Sequence, residues 1–82
     1  MSTASPAYLE IIDFIAAGTT PETVVNYHPS GDAQHRVAEL LELDRQGTLS
    51  SEDKAELNHF VELEHILRMA KAKARIILAS GR

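Results

Sequence analysis

The stretch HFVELEHILRMAKAKARIIL, residues 59–78, decides the fold of this chain. It contains neither glycine nor proline, and its apolar residues recur at alternating intervals of three and four. That spacing places them along one side of an α-helix and is typical of helices that pair with other helices. We call this set the heptad seam, and its members are Phe60, Leu63, Leu67, Ala70, Ala74 and Ile77.

A second apolar stripe runs beside the heptad seam. It consists of Ile66, Met69 and Ile76, and Val61 and Leu78 add further apolar surface. One interpretation is a core helix that is buried within a monomer. We favour the alternative that one stripe meets the rest of the chain and the other meets a second copy, because 82 residues give little cover for so long a helix. The sequence thus predicts the six residues of the heptad seam as the interface with a partner or second copy.

Helix-boundary signals organise the first part of the chain. Ser5-Pro6 is typical of a helix start and Gly18 of a helix end, which predicts a first helix at about 6–17. Thr20-Pro21 repeats the start signal and predicts a helical turn at 21–27.

The second part of the chain contains two further helices. Ser30 and Gly47 predict a helix at about 31–46, and Ser50 opens a last helix at about 51–79. The short turn between them predicts an αα-hairpin with a long second arm, whose outer half the first helix covers only in part. We therefore expect a single all-α domain that dimerises through its long C-terminal helix.

Charge is distributed unevenly along the chain, whose net charge is −4. All 12 acids lie before residue 65, whereas every charged residue from Arg68 onward is a base. In the last helix an acidic half thus precedes a basic half, and antiparallel pairing of two copies sets opposite charges side by side. We therefore predict an antiparallel homodimer. Earlier in the chain, Asp32 and Arg36 have the i,i+4 spacing of an ion pair.

Arg68, Lys71 and Arg75 share one face of the last helix, and we call them the basic stripe. Such a stripe can neutralise phosphates, so a small nucleic-acid-associated regulator is the alternative function. No aromatic residue lies beside the stripe to stack on bases, and the excess of acids elsewhere repels a polyanion. Nucleic acid is therefore the less favoured partner.

Candidate catalytic and metal-binding residues are few. Glu56-x-x-His59 and Glu62-x-x-His65 have a spacing found in helical di-iron sites, but they lie about 240° apart around the helix. His28 and His35 have no acid or cysteine at ligand spacing. There is no nucleophile elbow and no glycine-rich phosphate loop. We expect no enzyme activity, no metal and no cofactor.

Composition also constrains location. The chain has no cysteine, which excludes disulfides and fits a reducing cytoplasm. Its uncharged apolar runs fall far short of the roughly 20 residues of a transmembrane helix, so we expect no membrane partner.

The sequence FIAAGTTPETVVNYHPS, then RVAELLELDRQGTLSSEDKAELNHF, then LEHILRMAKAKAR resembles a group of small uncharacterised bacterial proteins, common in cyanobacteria. The resemblance covers nearly the whole chain, and the LEH-x-x-R-x-x-KA-x-AR end is its most specific part. The position of His28 is more usually arginine in that group. The group looks like antitoxin-like or accessory proteins that depend on a partner, and it supplies no catalytic residues. The resemblance thus implies a non-catalytic, homodimeric protein-interaction module that binds a larger protein.

Overall fold

The structure, a computed structural model, describes residues 6–80. Over this range the chain forms four α-helices and no strand, which confirms the all-α class. The helices are α1 (Leu9–Ala16), α2 (Pro21–Asn26), α3 (Gly31–Gln46) and α4 (Ser51–Ser80). At 1.5 Å per residue α4 is about 45 Å long and forms the spine of the molecule.

The start of α1 differs from the sequence prediction. The helix begins at Leu9 rather than near residue 6, because residues 6–8 form a turn in which the Leu9 N–H donates to the Pro6 carbonyl over 3.1 Å. Tyr8 precedes the helix without a side-chain cap, and the expected cap Ser5 lies outside the described residues. At the other end Gly18 has a φ of 91°, the left-handed conformation that suits a residue just past a helix.

Side-chain caps fix the start of α2. The Thr20 hydroxyl accepts from the Thr23 N–H at 3.3 Å, and the Thr23 hydroxyl accepts from the Thr20 N–H at 2.9 Å. This reciprocal capping box satisfies two backbone donors that a helix start leaves without an intrahelical partner.

The hairpin of α3 and α4 has the end signals that the sequence contains. The Ser30 hydroxyl accepts from the Ala33 N–H at 3.1 Å, and the Ser50 hydroxyl accepts from the Asp53 N–H at 3.0 Å. Between them Gly47 ends α3 in the left-handed conformation, with a φ of 76°. The chain reverses over four residues, so α3 returns along the first half of α4.

The second half of α4 is covered mainly by α2 rather than by the first helix. Val24 of α2 lines a common cavity with Ala70 and Ala74 of α4. Phe14 of α1 stacks on Tyr27 at the end of α2, with ring centroids 4.4 Å apart. The core therefore runs along one side of α4 and joins all four helices, and its buried cluster consists of Ala7, Ile11, Ala33, Phe60 and Leu67.

Candidate protein-interaction surface

The heptad seam lies mostly inside the monomer. Phe60, Leu67 and Ala74 are buried, and Leu63 and Ala70 are half-buried. The cover comes from α1, α2 and α3 of the same chain. Of the six seam residues only Ile77, near the end of α4, is exposed, at 47%. The prediction that this seam meets a second copy must therefore be revised, because its side chains are already used in the core.

The second stripe is the surface that remains open. We call Val61, Ile66, Met69 and Ile76 the outer face of α4, and each is between 51% and 61% exposed. At 100° per residue the four side chains fall within about 140° of the helix circumference, on the side away from the core cluster. The exposed Glu62, His65 and Lys73 lie within the same arc, so the outer face combines four large apolar side chains with a few polar ones. Large apolar side chains grouped on one helix face form a contact surface, unlike single exposed apolar residues.

Sequence periodicity identified both stripes but could not tell which one the chain itself covers. The two stripes are similarly apolar, and the difference arises from where α2 docks. α2 packs on the side of α4 that carries the heptad seam, where Val24 lines a common cavity with Ala70 and Ala74.

The basic stripe is partly used within the chain. The Lys71 ammonium donates to the Tyr27 carbonyl oxygen at the end of α2, which ties α2 to α4. Arg68 lies 3.5 Å from Glu64 one turn earlier on α4. Arg75 is exposed. Two of the three cations therefore have protein partners, so the stripe is a weaker phosphate site than the sequence indicated.

Arg36 connects three segments of the chain. Its guanidinium donates to both carboxylate oxygens of Glu56, at 3.1 and 2.8 Å, and to Asp53 at 3.1 Å. A further bond runs to Glu39 one turn along α3, at 3.0 Å. Glu56 also accepts from the Ala7 N–H at 2.9 Å. The i,i+4 ion pair expected with Asp32 is replaced by these partners, because closing the hairpin brings α4 acids to Arg36.

The Glu56 carboxylate is held in its charged form. Its hydrogen bonds from Arg36 lower its pKa below the ordinary value, and the Ala7 N–H lowers it further against an opposing effect of burial. The same bond to Glu56 raises the pKa of Arg36. This arrangement stabilises a fixed ion pair between α3 and α4.

The histidines do not converge on a metal site. His59 packs edge-on against Tyr8, with ring centroids 5.1 Å apart, while its expected partner Glu56 binds Arg36 instead. Glu62 and His65 are both exposed on α4. Across residues 6–80 no group of three or more His, Asp or Glu side chains is placed to hold a metal ion.

A groove of about 530 Å³ lies between the start of α1 and the first half of α3. Two of its four carboxylates have partners, since Glu10 accepts from the Ser30 N–H at 3.0 Å and from the Ser30 hydroxyl, and Glu39 accepts from Arg36. The groove therefore resembles a seam between packed helices more than a pocket built for a ligand.

One buried polar atom lacks a partner in the described structure, the Tyr27 hydroxyl. Burial, together with the negative charge of Glu10, raises the pKa of Tyr27, so its phenol stays protonated. The stacking on Phe14 gives the Tyr27 ring a packing role.

No helix in the described range combines the length and apolar character needed to cross a membrane. Comparison of the chain with protein-family models, with curated proteins and with solved structures finds no match.

Proposed function

We propose that this protein is a non-catalytic protein-interaction module whose contact surface is the outer face of α4. The observation that supports the proposal is the exposure of Val61, Ile66, Met69 and Ile76 on one side of a single helix. Leaving these side chains in water forgoes roughly 25 cal/mol for every Å² of apolar surface that a partner would cover. A second protein that packs against this face recovers that free energy.

A protein fits this surface better than nucleic acid does. The outer face carries four large apolar side chains and one cation, Lys73, close to the acid Glu62, whereas phosphate backbones are bound by several exposed Lys and Arg side chains. Lys71 and Arg68 of the basic stripe already have partners in the chain, and the net charge of −4 repels a polyanion. On α4 the nucleic-acid alternative keeps three exposed cations outside these contacts, Lys54, Lys73 and Arg75, and Lys54 lies about 30 Å from the other two along the helix.

The resemblance to small antitoxin-like or accessory bacterial proteins supports a larger protein as one occupant of this role. In such a system a small helical domain binds and restrains or positions its partner. The fixed ion pair of Arg36 and Glu56 suits a rigid scaffold that presents a helix face.

Thiol protection tests the proposal directly, because the chain contains no cysteine of its own. Met69→Cys places a single reactive group on the outer face, and Leu41→Cys is the matched control on α3. The native side chains at these positions are 54% and 52% exposed. Each variant is expressed in the native host, and the rate of maleimide labelling is measured in fresh lysate and again after denaturation.

We expect slow labelling at position 69 and fast labelling at position 41, with the two rates equal after denaturation. Equal rates in the native lysate would contradict the proposal, since the outer face would then be open to solvent. Binding to nucleic acid is tested separately by fluorescence anisotropy with a labelled duplex. Tight binding that weakens steeply with salt would favour the alternative function.

A further inference from the structure

We propose that the occupant of the outer face is a second copy of this chain, with the two α4 helices running antiparallel about a two-fold axis near Met69. This inference rests on the proposed function, because it identifies the partner of the same surface.

The apolar pattern is compatible with its own reversal. Pairing about a point between Arg68 and Met69 sets Val61 of one copy opposite Ile76 of the other, and the two-fold axis repeats that contact. The two Met69 side chains meet at the axis, where a flexible thioether can adjust to its symmetry mate. The small residue Ala72 faces His65 in the same register, which leaves space for the imidazole.

Charges on the Ile66 side of the outer face select the antiparallel orientation. Glu62 and Lys73 both lie between Met69 and Ile66 around the helix, about 20° apart. They are eleven residues apart in sequence, or about 16 Å along the helix, too far to contact each other within one copy. In the antiparallel register Glu62 of one copy lies beside Lys73 of the other, and the contact occurs twice.

The opposite edge of the outer face, beside Val61, is compatible with this arrangement. Arg68 of the two copies lies near the axis on that side, where like charges would repel. Each Arg68 has its own Glu64 at 3.5 Å, which balances the charge locally. Parallel pairing would instead set each acidic first half of α4 beside the acidic first half of the other copy, and the basic halves likewise.

Oligomeric state is measured first, by sedimentation equilibrium of the purified chain at micromolar concentration. We expect a mass near twice 9.0 kDa. A mass near 9.0 kDa would overturn the inference. If position 69 were still protected in lysate, the proposed function would stand with a different partner, so the two failures are distinguishable.

Orientation is measured by oxidation of an equimolar mixture of Val61→Cys and Ile76→Cys proteins, with mass spectrometry of the linked peptides. We expect the 61–76 disulfide to dominate, because two residues at position 61 are about 22 Å apart in the antiparallel register. Dominant 61–61 and 76–76 products would show parallel pairing and overturn the inference. Leu41→Cys serves as the control that should not link.

Charge reversal tests the contact between Glu62 of one copy and Lys73 of the other. We expect Glu62→Lys and Lys73→Glu each to weaken association by roughly ten-fold, through two symmetric contacts between exposed charges. The double variant should recover most of the wild-type affinity. Because residues 62 and 73 are too far apart to pair within one copy, such recovery requires a contact across the interface. Additive weakening in the double variant would contradict the contact. Circular dichroism checks that each variant keeps its helical content.

Discussion

The Arg36 side chain joins α3 to α4, because its guanidinium donates to Glu56 and to Asp53 across the hairpin. The i,i+4 rule assigned it to Asp32, the acid one turn before it. Its strongest partner is Glu56, twenty residues further along the chain, which approaches only when the hairpin has closed. When several acids, near and distant in sequence, can reach one arginine, the tertiary structure decides which of them it binds. Rules based on sequence spacing do not contain that information.

Replacing Glu56 by Gln should destabilise the domain by about 1–3 kcal/mol at pH 7, because charge-assisted bonds to Arg36 are lost. Urea denaturation measures the change in the free energy of unfolding. Glu52→Gln is a suitable control, since that carboxylate is exposed in the first turn of the same helix. Equal costs for the two variants would show that the contact with Arg36 contributes little.

The same substitution predicts a pH dependence. The pKa of Glu56 is lower in the folded state than its ordinary value of 4.5. Its contribution to stability is therefore complete above pH 4.5 and is lost as pH falls through the folded pKa. We expect the stability difference between wild type and Glu56→Gln to shrink on acidification below pH 4.5. A difference that stays constant down to pH 2 would contradict this account.

Gly47 is the residue at which backbone conformation restricts the sequence most clearly. Its φ of 76° is left-handed and no neighbouring atom lies within 4 Å of an added Cβ, so Gly47→Ala tests conformation without a clash. We expect a cost of about 1–2 kcal/mol from this conformation. Gly31→Ala, at an open position with ordinary φ, should be neutral or slightly stabilising. Melting temperatures that fall equally in both variants would exclude the conformational explanation.

At the scale of the elements, α2 depends on its packing more than on its own propensity. A helix of six residues does not form alone in water, even with a capping box. Its stability comes from Val24 and Tyr27, which pack against the core, and from the Lys71 bond to its last carbonyl. The small residues of α4 beneath it are therefore a requirement for docking.

Ala74→Leu should disrupt this contact. Ala74 is 4% exposed, and a larger side chain forces α2 outward at a cost of about 1–3 kcal/mol. Ala55→Leu is the matched control at an exposed position of the same helix. Denaturation monitored by far-ultraviolet circular dichroism compares the two. A loss of stability at position 55 as large as at position 74 would argue against close packing of α2.

The elements themselves were largely predictable from the sequence. Start and end signals such as Ser30 and Gly47 act through hydrogen bonds and backbone conformation within a few residues, and α3 has the predicted span of 31–46. The start of α1 was wrong because Pro6 is compatible with a turn as well as with a first helical residue. The side of α4 that is covered was not predictable, because both apolar stripes satisfy helical periodicity.

In the molecule as a whole, α1, α2 and α3 cover one side of α4 and leave the apolar side chains of its outer face exposed. If a second copy covers that side, folding and association are linked, and stability depends on protein concentration. We expect the melting temperature to rise by several degrees between 1 and 100 μM, and the rise to disappear in Met69→Asp, which is charged at the proposed axis. A melting temperature that is independent of concentration would indicate a monomer.

The hydrogen bonds that join residues 6–27 to α4 close much longer loops than the hydrogen bonds between α3 and α4. Ala7 reaches Glu56 across 49 residues and Tyr27 reaches Lys71 across 44, whereas Arg36 reaches Glu56 across 20. Closing a loop of 49 residues rather than 20 costs about 0.8 kcal/mol more in chain entropy. Each contact between residues 6–27 and α4 therefore costs more chain entropy to form than a contact between α3 and α4.

The consequence is an order of opening. Amide protons of α1 and α2 should exchange with deuterium faster than those around Leu40 and Leu57, through partial unfolding that leaves the hairpin intact. Native-state hydrogen exchange followed by mass spectrometry measures this, and uniform protection across all four helices would contradict it. The hairpin is then the unit that survives, and it carries the outer face of α4 with it. The surface proposed for association would thus persist in a chain whose α1 and α2 have transiently detached.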